Sequence, residues 1–169
     1  ASGVSRSMIS LIERQETSPT AAVLNKLADA LGVALSVLFA TAKDRATPAE
    51  PLARQADQPV WNDPASGYRR KHLSPVGTDS PIELIEVHFP AGETVVFDNP
   101  VRKSVVKQQL WMLDGTMEVS LDNQVWQLST GDCLAMTLGE RITFHNPNSA
   151  PARYLLALTS TTDHSIGTA

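Results

Sequence analysis

The period of the apolar residues changes once along this chain, and that change limits the fold more than any other feature. Through about the first forty residues, large apolar side chains recur every three or four positions. They do so at Met8, Ile9 and Ile12 and again at Val23, Leu24, Leu27, Ala28 and Leu31, the stripe of an amphipathic helix. After about Trp61 the apolar runs are short, alternate with polar residues and are broken by Gly, Pro, Asn and Asp, as strands and turns require. One chain therefore holds two architectures. Between them, "TAKDRATPAEPLARQADQP" is rich in Ala, Pro and charge and poor in large apolar residues, the composition of a linker. The expected class is multidomain α + β, with residues 1–40 helical, 41–60 a linker and 61–169 an all-β domain.

A chain of 169 residues is long enough for a small domain beside a compact barrel, each with a real core. Its formal net charge of -4 gives no general reason to expect nucleic acid, although a small basic face fits within a mildly acidic total. The single cysteine excludes an internal disulfide framework and a four-thiolate zinc site, and it suits the reducing cytoplasm, where the protein is expected to work. No stretch is apolar and long enough to span a bilayer, and "ASGVSRSMIS" lacks the charged-then-apolar order of a secretory signal. No membrane partner is expected.

In the helical part Ser5 reads as the N-cap of a helix running to about Arg14. Ser18 before Pro19 marks the start of a second helix, which Gly32 ends, and "ALSVLFA" makes a short third one. The stretch "SGVSRSMISLIERQETSPTAAVLNKLADALGVALSVLF" resembles the second half of a repressor-type helix-turn-helix domain of the lambda-repressor-like (Xre) family. The turn Gly3-Val4-Ser5, the Ile9 and Ile12 spacing, Glu13, Pro19 and the "KLADALGV" run fall in register. Gln15 stands where the family usually has a glycine, and the helices that precede the turn in the family are expected to be missing before Ala1. The resemblance implies a helix lying in the major groove with Arg6, Ser7, Ser10 and Leu11 outward, Arg6 toward guanine and Leu11 toward a thymine methyl. Ser18 and Thr20, at a helix N-terminus, suit either a DNA phosphate or simple capping. The implied partners are a palindromic operator in double-stranded DNA and a second copy of the chain in a homodimer. Against this stands a plain helical cluster with Arg6 and Ser7 merely solvated.

Strands are expected near 68–74, 82–89, 93–98, 106–113, 115–121, 124–129, 133–137, 141–146 and 152–159, with tight turns at Gly115 and Asp122-Asn123. "FPAGETVV", "LWMLDGTMEV", "LSTGDCLAM" and "GDCLAMTLGERITFHN" together resemble the cupin pattern, which implies a double-stranded β-helix barrel. Gly131, Gly139 and Asn146 match its second signature, but Thr137 replaces the usual proline and Ile142 the usual histidine. In the first signature Gln108 stands at the glutamate, and Ser104 and Arg102 at the histidines. Whatever the register, no histidine lies between Phe89 and Phe144 and no glutamate between Glu93 and Glu118. This stretch cannot supply the imidazoles and carboxylate that iron, manganese or zinc would need. No metal and no cofactor are expected.

Glu86, His88 and His145 are the candidates for acid–base work without a metal. By alternation His145 faces away from the lumen, and Glu86 with His88 reads equally as a structural pair. Cys133, in a strand, reads as a buried small hydrophobe. Alternation turns Gln108, Leu110, Met112, Ile142, Phe144 and Asn146 inward, making a mostly apolar lumen with a few amides, which suits a small-molecule pocket and a filled core alike. The expectation is a transcriptional regulator, not an enzyme, whose barrel binds an effector of unknown identity or dimerises. The rivals are a cupin enzyme with a fused DNA-binding segment and a barrel that serves only assembly.

Overall fold

The computed structural model describes residues 2–14, 16–31, 38, 50–78, 80–98, 104–139 and 141–162. Two helices lead, α1 (Arg6–Glu13) and α2 (Ala21–Leu31), and ten strands follow a 3₁₀ turn at Gln55–Asp57. They are β1 (Val60–Asn62), β2 (Arg69–His72), β3 (Glu83–Phe89), β4 (Thr94–Asp98), β5 (Ser104–Asp114), β6 (Thr116–Leu121), β7 (Gln124–Ser129), β8 (Cys133–Thr137), β9 (Arg141–His145) and β10 (Ala152–Thr162). Gly32, the expected third helix apart from Leu38, residues 41–49 of the linker and Arg102 lie outside the described residues.

Gly3, at φ 69, turns the chain into α1 in a conformation that suits a residue without Cβ. Ser5 then caps the helix as expected, its hydroxyl accepting the Met8 N–H at 3.2 Å. No residue of α1 is fully buried, so Met8, Ile9 and Ile12 are only partly covered. The start of α2 differs from expectation. Thr20, two residues beyond Ser18, supplies the cap through its carbonyl to Leu24 N–H at 2.9 Å and its hydroxyl to Val23 N–H at 3.4 Å. Pro19 stands before that cap, where its fixed φ guides the chain in without occupying a helical position. The buried face is Ala21, Leu24 and Ala28, while Leu31 is exposed.

The strands form two sheets, in the orders β1-β2-β3-β10-β5-β8 and β4-β9-β6-β7. β1 is an addition, since its three residues straddle the expected linker boundary. Alternation sets the inner face of the larger sheet. Ile85, Val87 and Phe89 of β3, Tyr154, Leu156 and Leu158 of β10, and Gln108, Leu110 and Met112 of β5 are all buried. The smaller sheet answers with Val95, Met117, Val119, Leu128, Ile142 and Phe144. Gly115, at φ 78 between β5 and β6, also lies so close to the β9–β10 connection that a Cβ would sit 3.1 Å from Pro151 O and 3.1 Å from Ala152 Cα. Only glycine fits both demands. Cys133 is exposed rather than buried, because β8 is an edge strand whose alternation turns Cys133, Ala135 and Thr137 outward.

Two buried polar residues fasten the connections. Asp63, which follows β1, accepts the Ala21 N–H at 2.9 Å through Oδ1 and the Ser66 N–H and hydroxyl at 3.1 and 2.6 Å through Oδ2. A carboxylate of the β-domain thus sits on the N-terminal turn of α2, where the helix dipole favours negative charge. Asn146, fully buried, donates to Pro90 O at 3.1 Å and Ala150 O at 2.8 Å and accepts from Asn148 N–H at 3.1 Å, joining the β3–β4 and β9–β10 connections. Asp63→Ala should lower stability by about 2–3 kcal/mol in urea titration and speed amide exchange in the first turn of α2, because it orphans three donors. Asn146→Ala should cost about 1–3 kcal/mol by the same measurement, since it removes a fully buried amide and its three hydrogen bonds to the backbone.

Candidate functional site

The first candidate surface is α1. Arg6 and Ser7 are exposed and Ser10 and Leu11 partly so. On a helix of 100° per residue these four fall on one side, opposite Met8, Ile9 and Ile12. The helix therefore presents one polar face headed by an arginine at its N-terminal end, the geometry that a major groove accepts. The Ser7 hydroxyl lies 3.0 Å from that of Ser5. Ser18 is exposed and lies outside the helix, and Thr20 is engaged in capping α2.

The second candidate is the interior of the β-domain. Gln108, Leu110, Met112, Ile142, Phe144 and Asn146 all turn inward and are buried, so the structure brings together the six residues that alternation selects. Their surroundings differ. Phe144 stacks on Tyr154 with ring centroids 6.2 Å apart and planes 9° from parallel, and meets Phe97 edge-on at 5.9 Å. Leu110, Met112 and Ile142 are packed walls of the same core. The amide of Asn146 is committed to three backbone groups, as described. Gln108 stands apart: among the described residues its amide donates to Met136 Sδ alone, at 3.4 Å. It lines an open groove of about 480 Å³ where β10, β5 and β8 run side by side, shared with inward Met136 and Leu158, with Ile82, and with the exposed Lys107, Gln109, Ala135 and Thr137.

Sequence reasoning missed three interior polar groups. Arg70 and His72 occupy alternate positions of β2 and are both buried, and the Tyr68 hydroxyl accepts from Arg70 Nη1 at 3.4 Å. His72 Nε2 lies 3.5 Å from Glu83 Oε2. The phenol of Tyr154 is held well above its ordinary range by burial, with Tyr68 acting in the same direction and Arg70 opposing, so it stays a neutral hydroxyl. The only signal in the sequence was position: "RRKH" follows an inward Tyr68, so alternation turns every second residue inward despite its polarity.

The acid–base candidates stand elsewhere. Glu86 and His88 lie on the outer face of the larger sheet, where Glu86 Oε1 is 3.3 Å from both His88 Nε2 and Arg153 Nη1. Partial burial and the Arg69 guanidinium lower the His88 pKa against the opposing pull of Glu86. His145 Nδ1 lies 2.9 Å from the Thr94 hydroxyl and 3.2 Å from Glu93 O, engaged along β4 rather than with the lumen. Glu86, His88 and His145 therefore do not converge. Among the described residues, no three His, Cys, Asp or Glu side chains gather so as to hold a metal ion. At the family's ligand positions Gln108 and Ile142 face inward, and a carboxamide and an alkyl chain are poor metal donors.

Residues 1–38 match the family model described as helix-turn-helix. No curated relative matches the chain. Among solved structures, an HTH_3 family transcriptional regulator from Vibrio cholerae superposes with a TM-score of 0.73 at 22% identity, over 94% of this chain and 82% of that one. An RmlC-like cupin from Shewanella frigidimarina superposes with a TM-score of 0.50 at 14% identity, over 69% of this chain and 95% of that one. Both likenesses concern the fold. Residues 1–38 accordingly match a helix-turn-helix family, and the chain joins that segment to a β-domain with the fold of a cupin.

Proposed function

We propose that this protein is a DNA-binding transcriptional regulator, not an enzyme, whose cupin domain takes up a small-molecule effector and pairs the chain as a homodimer in the cytoplasm. The observation that carries the reading is the match of residues 1–38 to a helix-turn-helix family, joined to an α1 whose polar face leaves Arg6, Ser7, Ser10 and Leu11 open to a groove. Arg6 would pair with a guanine edge, Leu11 with a thymine methyl, and Ser18 and Thr20 would lie near phosphate. The dimer is favoured by the outer face of the larger sheet, which exposes Leu84, Val105 and Trp111. The dispersal of Glu86, His88 and His145 favours sensing over acid–base catalysis.

For the effector, Gln108 at the groove supplies a carboxamide with spare hydrogen-bonding capacity beside the apolar side chains of Met136, Leu158 and Ile82, while Leu110, Met112, Ile142 and Phe144 belong to the buried core of the same domain. Asn146 would hold the neighbouring loops in place. Coupling to DNA has a physical route. Asp63 holds the N-terminus of α2, α2 packs on β4, and β4 pairs with β9 so that Phe97 lies opposite Ile142.

In a selection from random duplexes at moderate salt, the full-length protein should enrich a palindromic sequence, and Arg6→Ala should weaken that binding by about 1–3 kcal/mol and relax preference at one base pair. Enrichment of no sequence would overturn the regulator reading. Leu158→Trp, which fills the groove, should abolish the response of DNA binding to a confirmed effector while changing the affinity of the unliganded protein by less than about threefold. A full response in that variant would remove the groove from the mechanism.

A further inference from the structure

Burying a guanidinium is costly unless a carboxylate or a full set of acceptors meets it, and a cation left incompletely paired inside a core is a standing penalty. Arg70 is 8% exposed and His72 6%. Within the described residues no carboxylate lies within ion-pair distance of Arg70. Its one hydrogen bond there runs to the Tyr68 hydroxyl at 3.4 Å, and its Nε has no acceptor. His72 Nδ1 likewise has no partner, and its Nε2 reaches no closer than 3.5 Å to Glu83.

These groups lie in line with the groove. Glu83 stands opposite Leu158 in the β3–β10 ladder, and Leu158 lines the groove beside Gln108. His72 stands opposite Ile85 and Arg70 opposite Val87, so successive inward positions lead from the groove along the inner wall to Arg70. At the far end Val87 pairs with Tyr154, whose neutral hydroxyl adds a donor near the guanidinium, and Tyr154 pairs with Met112. Apart from this strip and the amides of Gln108 and Asn146, the described inner wall is aliphatic and aromatic.

We propose that the inner face of β2 is an anion-binding site, in which Arg70 and His72 receive the carboxylate of a small organic acid whose apolar body lies against Leu156, Met112 and the groove. The Nε–H, which has no acceptor among the described residues, and an Nη–H of the same guanidinium are spaced to meet the two oxygens of a carboxylate. A doubly charged phosphate demands more donors than one guanidinium and an imidazole supply, and a neutral ligand leaves the cation uncompensated. The site deepens the effector reading and rests on it. It names the chemical class that the barrel would select.

The test uses the full chain with hexanoate and benzoate as probes, hexanamide and benzamide as their neutral counterparts, and inorganic phosphate, each followed by calorimetric titration and thermal melting. The expected result is that the wild type binds each carboxylate at least about tenfold tighter than its amide and tighter than phosphate. Arg70→Met should erase that preference and, without ligand, melt no lower than the wild type, since a flexible apolar side chain replaces an unpaired buried charge. A melting temperature well below wild type in a folded Arg70→Met protein would mark Arg70 as a structural residue and overturn the site. If Arg70→Met does not fold, Arg70→Lys decides. Loss of most of the carboxylate preference there supports the site, and an unchanged preference overturns it. Equal binding of acids and amides removes the anion site but leaves an effector pocket standing. Tighter binding of phosphate overturns the assignment to carboxylates, and binding of no probe overturns the site. DNA selection by the same protein preparation reports separately on the regulator reading.

Discussion

The stack of Phe144 on Tyr154 ties the two sheets together, and most of the structure is arranged around it. Phe144 belongs to the smaller sheet and Tyr154 to the larger. From this pair the ring contacts run outward in both directions, through Phe97 on one side and through Phe89, Tyr68 and Trp61 on the other. Six aromatic residues therefore cross the domain in one line from β4 to β1. Aromatic pairs of this kind each contribute about 0.5–1.5 kcal/mol beyond the area they bury. Their larger effect is geometric, since rigid rings fix how far apart the sheets stand and so which interior positions are filled.

The polar residues of the interior take their places from that line. Where the rings pack closely, Leu110, Met112 and Ile142 complete a fully buried apolar core. Where the line ends near Trp61 and Tyr68, the chain turns through Asp63, whose carboxylate is used by α2 and Ser66. Where the rings give out toward the end of β5 and β10, Gln108 borders open space. Arg70 sits between these regimes, reaching the Tyr68 hydroxyl from a strand that is otherwise ordinary. Filled core and open groove thus coexist in one barrel, each at its own level along the strands.

Much of this was legible from residue order because burial follows a period of two in strands. β3, β5, β9 and β10 carry their apolar residues on one face, so their extents and inward sets follow from alternation alone. Ser5 was legible for a similar reason, as a hydroxyl placed just before a helical stripe. The failures are equally physical. The inward face of β2 carries Arg70 and His72, so its hydrophobic pattern vanishes although its geometry does not. Cys133 was misplaced because alternation says which residues share a face, while only the sheet order shows that β8 is an edge. The cap of α2 moved from Ser18 to Thr20 because the helix start is set partly by Asp63, 42 residues away. Which interior residues line space and which line core was not legible either, since both look apolar in sequence.

Gln108 and Ile142 also bear on what such a barrel does with a bound molecule. A carboxamide and an alkyl chain at these two inward positions neither polarise a carbonyl nor lower the pKa of a water, so on the proposed reading what they offer a bound molecule is binding free energy. Binding free energy acts on DNA only through a difference between two arrangements of the chain. A ligand that contacted the larger sheet alone would stabilise both arrangements equally and shift nothing, however tightly it was held. The aromatic line alters that. On the proposed reading, the stack of Tyr154 on Phe144 is the route by which a displacement of β10 would reach β9, then β4 and the helix that Asp63 holds. A coupling of about 1–3 kcal/mol needs only a modest difference in that packing between the bound and free states, and the rigidity of stacked rings makes such a difference hard to absorb locally.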